Sequence, residues 1–234
     1  MPLQELKQQV FEANQMLVSE GLVKLTWGNV SGIDRTEGLF AIKPSGVPYS
    51  SLRTDDLIVL DLDGKIVEGT LNPSSDTPTH LVLYQRFQGI GGICHTHSIY
   101  ATMFAQAGKM IPCLGTTHAD HFFGEVPIVR ALEPEEVASN YEENTGHAIV
   151  DRIEELEIDP LATPGVLQAY HAPFTWGKDA IESVKNGVAL EVCAQMALGT
   201  FSLDPDIPPL PDHILTKHFR RKHGPDAYYG QDQS

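Results

Sequence analysis

The stretch GGICHTHSIYATMFAQAGKM, residues 91–110, constrains the fold most, because it places His95 and His97 inside an otherwise apolar run. Side chains two positions apart on a β-strand leave the same face, about 6.5–7 Å from each other. A helix-like segment, residues 99–107, follows and ends at a glycine. The pattern predicts a strand followed by a helix. The two imidazoles either converge on one ion or are ordinary half-exposed strand histidines.

The rest of the chain mixes strand-like and helical segments without a regular βαβ alternation. Four short pieces, KLTWGNVSGID, GLFAIKPSG, DLIVLDLDG and KIVEG, are separated by Gly, Asp and Pro turns and predict a meander. A strand is expected at GVLQAYHAPF. Helices are expected from the amino terminus to Gly21, from Asp76 through THLVLYQRF, and at about 134–150, 180–197 and 212–223. The fold class is therefore α/β, a single layered domain spanning residues 1–234.

Charge and composition limit the partners. The 234 residues include 16 basic and 31 acidic side chains, a formal charge of −15, which argues against nucleic acid or an anionic membrane as the main partner. No apolar run approaches the ~20 residues of a membrane span, and the amino terminus is an amphipathic helix. The three cysteines show no C-x-x-C spacing, so neither a disulfide framework nor a cysteine zinc site is indicated. We expect a cytoplasmic protein with a small-molecule partner.

Further metal-ligand candidates lie elsewhere in the chain. His171 ends the strand-like VLQAYH, and Asp76 begins a predicted helix. Three histidines with an optional carboxylate form the ligand set of a catalytic zinc site. Other histidines remain alternatives, and any one of them can be an ordinary core or surface residue: His80, His118, His121, His147, His213, His218 and His223.

Two turn sequences are suited to an anion. IKPSGV supplies Lys43, Ser45 and Gly46, and NPSSDTPTH supplies Ser74 and Ser75 at a helix start. Hydroxyls, a tight glycine turn, free backbone N–H groups and one lysine can cradle a phosphate. Each is also an ordinary turn on its own. Together with the Gly28-Asn29 pair they would suit a phosphorylated substrate held near a metal.

Seven motifs in order resemble the class II aldolase and epimerase family: LTWGNVSGID, IKPSGVPYS, EGTLNPSSDTPTHLVLYQ, GGICHTHSIYAT, GTTHAD, PGVLQAYHAPFTWGK and KHFRRKHGPDAYYGQ. The resemblance covers nearly the whole chain, residues 3–231. It implies a cytoplasmic homotetramer of α/β subunits, each built around a largely antiparallel sheet. It also implies active sites at subunit interfaces and a Zn²⁺ ion, with Mn²⁺ or Co²⁺ as possible substitutes.

Carried over by position, the resemblance assigns roles to individual residues. The metal ligands are His95, His97 and His171, with Asp76 beside the ion. The substrate, mainly its phosphate, is surrounded by Gly28, Asn29, Lys43, Ser45, Gly46, Ser74 and Ser75. The acid/base pair is Asp120 and Tyr229, and Thr116, Glu142 and His218 match residues that approach from the adjacent subunit. Ile99 and Tyr100 depart from relatives that carry polar or basic residues there, which bears on fine specificity.

The tail KHGPDAYYGQ resembles the epimerases of this family, which implies inversion of C4 in a ketopentose phosphate, from L-ribulose 5-phosphate to D-xylulose 5-phosphate. C4 is not alpha to the C2 carbonyl, so the C3–C4 bond must break and reform, with proton exchange on two faces. A class II sugar-phosphate aldolase, or a dehydratase of a ribulose-phosphate type substrate, would share the histidines and the phosphate turns. A non-catalytic metal-binding or interaction protein is the alternative outside the family.

Overall fold

The computed structural model describes residues 3–223 and 227–228. Its helices are α1 (Leu3–Ser19), α2 (Thr77–Arg86), α3 (Ile99–Gln106), α4 (Thr116–Ala119), α5 (Pro134–Ala138), α6 (Tyr141–Glu155), α7 (Ala180–Leu203) and α8 (Asp212–His223), with a 3-10 turn at Thr54–Asp56. Its strands are β1 (Asn29–Asp34), β2 (Leu39–Ile42), β3 (Ile58–Asp61), β4 (Ile66–Glu68), β5 (Gly92–His95), β6 (Ile128–Val129), β7 (Gly165–Gln168) and β8 (Pro173–Gly177).

The strands form one sheet in the order β4-β3-β2-β1-β5-β8-β7-β6. Every neighbouring pair is antiparallel except β6 and β7, which are parallel. The first four strands form the predicted meander, and β5 inserts beside β1 to join it to the second half. The prediction of an α/β fold around a largely antiparallel sheet is confirmed.

Helices cover both faces of the sheet, and the alternation of side chains decides which residues meet which layer. On one face, α2 and α6 pack over Ile33, Ile93 and Phe174. On the other face, α1 and α7 pack over Val30 and Cys94. Residues with the parity of Ile33 and Ile93 therefore point toward α2. That group includes Asn29, Ser31 and His95, so these polar side chains enter the layer between the sheet and α2.

Two of the predicted elements are each divided in two. The predicted strand GVLQAYHAPF is a hairpin: β7 ends at Gln168 and β8 begins at Pro173, with Tyr170 in the left-handed region at φ 61° between them. The single helix expected at 134–150 is two helices, because the chain turns sharply at Ser139 (φ −100°, ψ −101°) before α6 begins. Within the described residues, no helix is both long enough and apolar enough to cross a membrane.

Glycine is required where β5 passes α7. A Cβ on Gly92 would lie 2.4 Å from Ala180 N and from the carbonyl carbon and oxygen of Asp179. We expect Gly92→Ala to lower the free energy of unfolding by about 3 kcal/mol, because the opposing atoms are backbone and cannot rotate away. Urea unfolding at a fixed protein concentration measures the loss.

Gly199 in α7 is the matched control, since a Cβ there meets nothing within 4 Å. Gly199→Ala should be neutral or stabilise by up to about 1 kcal/mol, the helix preference of alanine over glycine. Equal stability of both variants and the parent would show that the close approach of β5 to α7 is not as tight as described.

Candidate metal centre and substrate site

Three histidines from distant parts of the sequence form one cluster. Nitrogen atoms of His95, His97 and His171, one from each ring, lie within 4.8 Å of one another. The ring centroids of His95 are 5.0 Å from His97 and 4.8 Å from His171, and those of His97 and His171 are 5.0 Å apart. The three residues expected to bind a metal therefore lie next to one another.

His95 is oriented by the backbone and ring next to it. Its Nδ1 donates to the Pro173 carbonyl at 2.9 Å, and its ring stacks on Phe174 at 4.2 Å. Nδ1 therefore carries the ring proton, and the lone pair of Nε2 is directed away from the strand. Burial lowers the pKa of His95 to about 3. The ring is neutral at physiological pH, the form that binds a metal.

His97 and His171 lie in loops rather than on strands. The strand β5 ends at His95, so His97 follows it in the loop before α3, and the two rings meet across the strand end. His171 occupies the β7–β8 hairpin, one position after the left-handed Tyr170. Burial lowers the pKa of His97, and it lowers that of His171 to about 3. Nδ1 of His171 is buried and has no hydrogen-bond partner among the described residues.

Asp76 completes this cluster on the side of α2. Its Oδ2 lies 3.9 Å from Nε2 of His95 and accepts a hydrogen bond from Nδ2 of Asn29 at 2.7 Å. The same amide nitrogen lies 3.0 Å from Oγ of Ser74. Asp76 holds the helix-cap position of α2, yet its side chain makes no capping bond. The carboxylate is thus directed to the histidines instead of the helix.

The donor set fits a divalent metal ion. Three neutral imidazoles with an adjacent carboxylate match a catalytic site for zinc or a similar ion, which leaves a coordination position open. The unpartnered buried nitrogen of His171 supports this, since a buried polar atom without a partner is costly. Gly28 allows the close packing beside the cluster: at φ 78°, a Cβ would lie 2.8 Å from the carbonyl oxygen of His95.

The two predicted phosphate turns are joined to each other and to this cluster. Ser74 N donates to the Lys43 carbonyl at 3.0 Å, and Ser45 N donates to the Asn72 carbonyl at 2.9 Å. Ser45, Gly46 and Ser75 are exposed at the surface of these turns. Gly46 has φ 69° and open space around its α-carbon. Ser45, Gly46 and Ser75 therefore line one rim near Asp76.

Lys43 is the cation of this rim. It is only 2% exposed, its Nζ bonds the Pro44 carbonyl at 3.3 Å, and the ammonium lies 4.8 Å from the centre of the Tyr49 ring. No carboxylate of the described residues lies within 4 Å of Nζ. Burial lowers the pKa of Lys43 to about 8, which still leaves most of it protonated at neutral pH. A buried cation without a carboxylate suits an anionic ligand.

Asp120 lies in a second group, at the end of α4 against α8. Arg221 donates from Nε to Oδ1 at 2.9 Å and from Nη2 to Oδ2, and His218 Nδ1 lies 3.1 Å from Oδ1. Burial alone would raise the pKa of Asp120, but the hydrogen bonds from Arg221 and His218 and the charge of Lys222 outweigh it and lower the pKa. Asp120 is an ionised carboxylate at neutral pH.

The comparisons with known proteins agree with this architecture. Residues 8–198 match the family described as Class II Aldolase and Adducin N-terminal domain. The chain belongs to this family. It is 56% identical over 229 residues to L-ribulose-5-phosphate 4-epimerase UlaF of Salmonella typhi and of Salmonella paratyphi A, covering 98% of this chain and 100% of each relative. The family resemblance predicted from the seven motifs is confirmed.

Two solved structures of class II aldolases share the fold. An L-fuculose 1-phosphate aldolase is 26% identical, with a TM-score of 0.77 over 93% of this chain and 95% of its own. The L-fuculose-1-phosphate aldolase of Thermus thermophilus is 25% identical, with a TM-score of 0.67 over 88% of this chain and 98% of its own. Both align over most of the class II aldolase domain described above.

The remaining predicted residues fall in different places. The backbone carbonyl of Glu142 accepts a bond from Oγ1 of Thr79 at 2.6 Å, which sets the start of α6 beside α2. Thr116 is exposed at the start of α4, in the Asp120 group. Tyr229 lies outside the described residues. Within the described chain, no hydrogen bond, ion pair or ring contact joins Asp120 to the three histidines, so the predicted site residues form two separate groups.

Two aromatic residues beside the histidines were not predicted. The Trp27 ring lies 6.3 Å from His97 and is 53% exposed, and the Tyr141 ring lies 6.1 Å from His171. Each directly precedes a predicted residue, Gly28 or Glu142, which is the signal that could have indicated them. Flanking the histidines, they are positioned to contact a ligand bound there.

Trp27 provides a test for metal at this site. Because its ring lies beside His97, Co²⁺ added to metal-free protein should quench the fluorescence of Trp27 in a saturable manner. The other tryptophan, Trp176, is fully buried and hydrogen-bonded to the Pro160 carbonyl, and its emission should persist. Trp27→Phe should remove the metal-dependent quenching, and His97→Asn should weaken it. Undiminished quenching in both variants would place the ion elsewhere.

Proposed function

We propose that this chain is a metal-dependent L-ribulose-5-phosphate 4-epimerase, an isomerase that forms D-xylulose 5-phosphate. The observation that carries the proposal is the three-histidine cluster beside Asp76, with the buried cation of Lys43 on the adjoining turns. A metal centre next to an anion site is suited to a phosphorylated ketose. The 56% identity to L-ribulose-5-phosphate 4-epimerases, which extends over 98% of this chain, supports the choice of reaction.

The chemistry of the substrate dictates what the site must do. A proton on C4 of a 2-ketopentose phosphate is not activated by the carbonyl, so deprotonation cannot invert that carbon. Cleavage of the C3–C4 bond gives a dihydroxyacetone enediolate and glycolaldehyde phosphate. Rotation of the aldehyde and re-addition through its other face then form the same bond with inverted configuration. The site must hold both fragments and exchange a proton with the C4 oxygen on either face.

The chain's own residues divide this work. Lys43, with the hydroxyls of Ser45, Ser74 and Ser75 and the backbone of Gly46, binds the phosphate. His95, His97 and His171, with Asp76, would hold the metal, and Gly28 and Asn29 lie around the substrate, mainly at its phosphate. A divalent ion bound there, Zn²⁺ with Mn²⁺ or Co²⁺ as substitutes, supplies Lewis-acid stabilisation of developing negative charge on the ketose.

We assign the proton transfers to Asp120 on one face and Tyr229 on the other. The lowered pKa of Asp120 makes it ionised, the form that accepts the proton of the C4 hydroxyl. Tyr229 supplies the second group because a phenol retains its proton at neutral pH. Three further residues are proposed to approach the substrate at the interface between subunits: Thr116, Glu142 and His218. Ile99 and Tyr100 affect fine specificity.

The separation of the two groups supports a homotetramer in which Asp120 of one subunit completes the histidine site of its neighbour. Apolar side chains exposed on α3 and α7 provide contact area: Ile99, Met103, Val192, Met196 and Leu198. All three cysteines are free and buried, which is compatible with a reducing cytoplasm. We propose a cytoplasmic homotetramer.

The alternative is a class II sugar-phosphate aldolase, favoured by the similarity to the L-fuculose 1-phosphate aldolase fold. An aldolase needs proton transfer on one face only, whereas the epimerase needs two. A coupled assay that detects D-xylulose 5-phosphate formed from L-ribulose 5-phosphate identifies the epimerase. Cleavage of L-fuculose 1-phosphate at a higher kcat/KM would favour the aldolase.

Removal of the metal should abolish this activity. Exhaustive chelation is expected to reduce epimerisation to background, because charge stabilisation worth several kcal/mol is lost. Zn²⁺, Mn²⁺ or Co²⁺ should restore it. The coupled assay measures the rate, and elemental analysis of the same samples verifies metal loss. Full activity in verified metal-free protein would exclude the metal role.

Subunit mixing tests the shared site. His97→Asn and Asp120→Asn variants should each be inactive alone. After subunit exchange, about a quarter of the interfaces in an equal mixture combine two intact halves, so about a quarter of the parent activity should return. Native mass spectrometry confirms exchange, and each variant mixed with itself is the control. No recovery in exchanged tetramers would place the complete site within one chain.

A further inference from the structure

Tyr49 contacts two parts of the candidate site at once. The ammonium of Lys43 lies 4.8 Å from the centre of the Tyr49 ring, within the distance of a cation–π interaction. The phenol oxygen lies 2.8 Å from the Gly28 carbonyl oxygen and 3.0 Å from the Trp27 carbonyl oxygen. The ring therefore meets the cation of the phosphate turns, and the hydroxyl meets the loop beside the histidines.

The hydroxyl is the donor in both contacts, because a carbonyl oxygen can only accept a hydrogen bond. Burial raises the pKa of Tyr49, so the phenol keeps its proton at neutral pH. Among the described residues, no backbone N–H donates to the carbonyl of Trp27 or of Gly28. Within that part of the chain, the phenol of Tyr49 is thus what holds these two carbonyls.

Tyr49 is itself held firmly in the core. Its side chain is only 5% exposed and belongs to the apolar cluster between α1 and the sheet. Nε2 of Gln15, on α1, donates to the backbone carbonyl of Tyr49 at 2.9 Å. By contrast, Trp27 is 53% exposed, and the Lys43 ammonium has one hydrogen bond at 3.3 Å, to the Pro44 carbonyl. A rigid ring therefore supports two groups that have few contacts of their own.

These contacts form a closed circuit around the phosphate turns. From the Tyr49 ring the circuit passes to Lys43, whose carbonyl accepts from Ser74 N at 3.0 Å. Oγ of Ser74 accepts from Nδ2 of Asn29 at 3.0 Å. Asn29 directly follows Gly28, whose carbonyl accepts from the Tyr49 hydroxyl. Tyr49 closes this circuit from the side of the core.

We infer that Tyr49 is a positioning residue for the phosphate-binding part of the site. Its ring holds the Lys43 ammonium in place, and its hydroxyl holds the Trp27–Gly28 backbone that leads into Asn29. This inference rests on the proposed function, since it takes Lys43 as the cation that binds the substrate phosphate. An ammonium already held by the ring loses less conformational freedom when an anion binds. Phosphate affinity therefore depends on Tyr49 without contact between Tyr49 and the ligand.

Two substitutions of Tyr49 separate the ring from the hydroxyl. Tyr49→Leu removes both, and inorganic phosphate should bind to this variant about 2- to 30-fold more weakly than to the parent, the range expected for a cation–π contact. Tyr49→Phe keeps the ring and should retain most of the affinity. Isothermal titration with inorganic phosphate measures both. In Tyr49→Leu the KM for L-ribulose 5-phosphate should rise with little change in kcat, the pattern of lost uniform binding.

Two further measurements need no ligand. The ring current of an aromatic side chain should shift the ε-proton resonances of Lys43 upfield in the parent and in Tyr49→Phe, and this shift should disappear in Tyr49→Leu. The amide of Trp27 bonds the Lys24 carbonyl at 3.1 Å. Its hydrogen exchange should be faster in both variants than in the parent, because both lack the hydroxyl that holds the loop.

Tyr84 is the matched control. It is fully buried, its phenol oxygen lies 2.7 Å from Oγ of Ser31, and Cζ of Arg35 lies 5.5 Å from the centre of its ring. Tyr84→Phe and Tyr84→Leu therefore remove the same groups from a tyrosine outside the phosphate turns. Both should lower stability but leave phosphate affinity, the Lys43 resonances and Trp27 exchange unchanged. An equal loss of phosphate affinity in Tyr84→Leu and Tyr49→Leu would contradict a positioning role.

Lys43→Met separates this inference from the proposed function. If the parent fails to bind phosphate, or Lys43→Met binds it equally well, the proposed phosphate site and this inference both fail. If Lys43→Met loses phosphate but Tyr49→Leu binds it as tightly as the parent, only the role of Tyr49 is overturned. Should Tyr49→Leu not fold, unshifted Lys43 resonances in the parent, or unchanged Trp27 exchange in Tyr49→Phe, would overturn it instead.

Discussion

The antiparallel pairing of β5 with β8 is the contact on which the site depends. It places His95 opposite Phe174 and lets Nδ1 of His95 bond the Pro173 carbonyl, across 78 positions of sequence. The hairpin that precedes β8 then brings His171 to the same point. A slip of one residue would turn His95 to the opposite face of the sheet. The register of two central strands therefore sets the distance between the histidines.

The layer between this sheet and α2 is unusually polar for a core. Asn29, Ser31 and His95 point into it from the strands, and Asp76 and His80 enter it from α2. Elsewhere the same face is filled by aliphatic and aromatic side chains. The buried polar groups cost free energy unless each finds a partner. Mutual hydrogen bonds satisfy Nδ2 of Asn29, Oγ of Ser31 and Nδ1 of His80, whereas Oδ1 of Asn29 and Nε2 of His80 have no partner among the described residues.

Charge is distributed to suit the proposed chemistry. The chain is strongly acidic overall, yet Lys43 is buried beside turns that expose Ser45, Gly46 and Ser75. At the other group, basic residues of α8 surround a single carboxylate, Asp120. The first arrangement favours an anion, and the second holds the pKa of a carboxyl down. The basic residues of the two groups therefore have different roles. Lys43 has no carboxylate within 4 Å among the described residues, whereas the basic residues of α8 share the carboxylate of Asp120.

Local patterns were enough for part of this description. The spacing of His95 and His97, the turns around Lys43 and Ser74, and the seven family motifs predicted the fold class, the family and the residues of the candidate site. The start of α2 was recognised from Asp76 and the proline after it. These features depend on near neighbours in the chain or on motif identity, so they can be identified without coordinates. The role of the three histidines as ligands stays a prediction.

By itself, the sequence determined which residues can supply the chemistry and most of the helices and strands that carry them, but not the short elements α4 and β6. Only the tertiary structure decided that His97 lies beyond its strand, that β7 and β8 form a hairpin at Tyr170, and that Asp120 pairs with Arg221. Trp27 and Tyr141 likewise reach the histidines only through the packing of separate elements. The physical reason is that strand pairing and helix packing join residues far apart in the chain, and local periodicity contains no information about those distances.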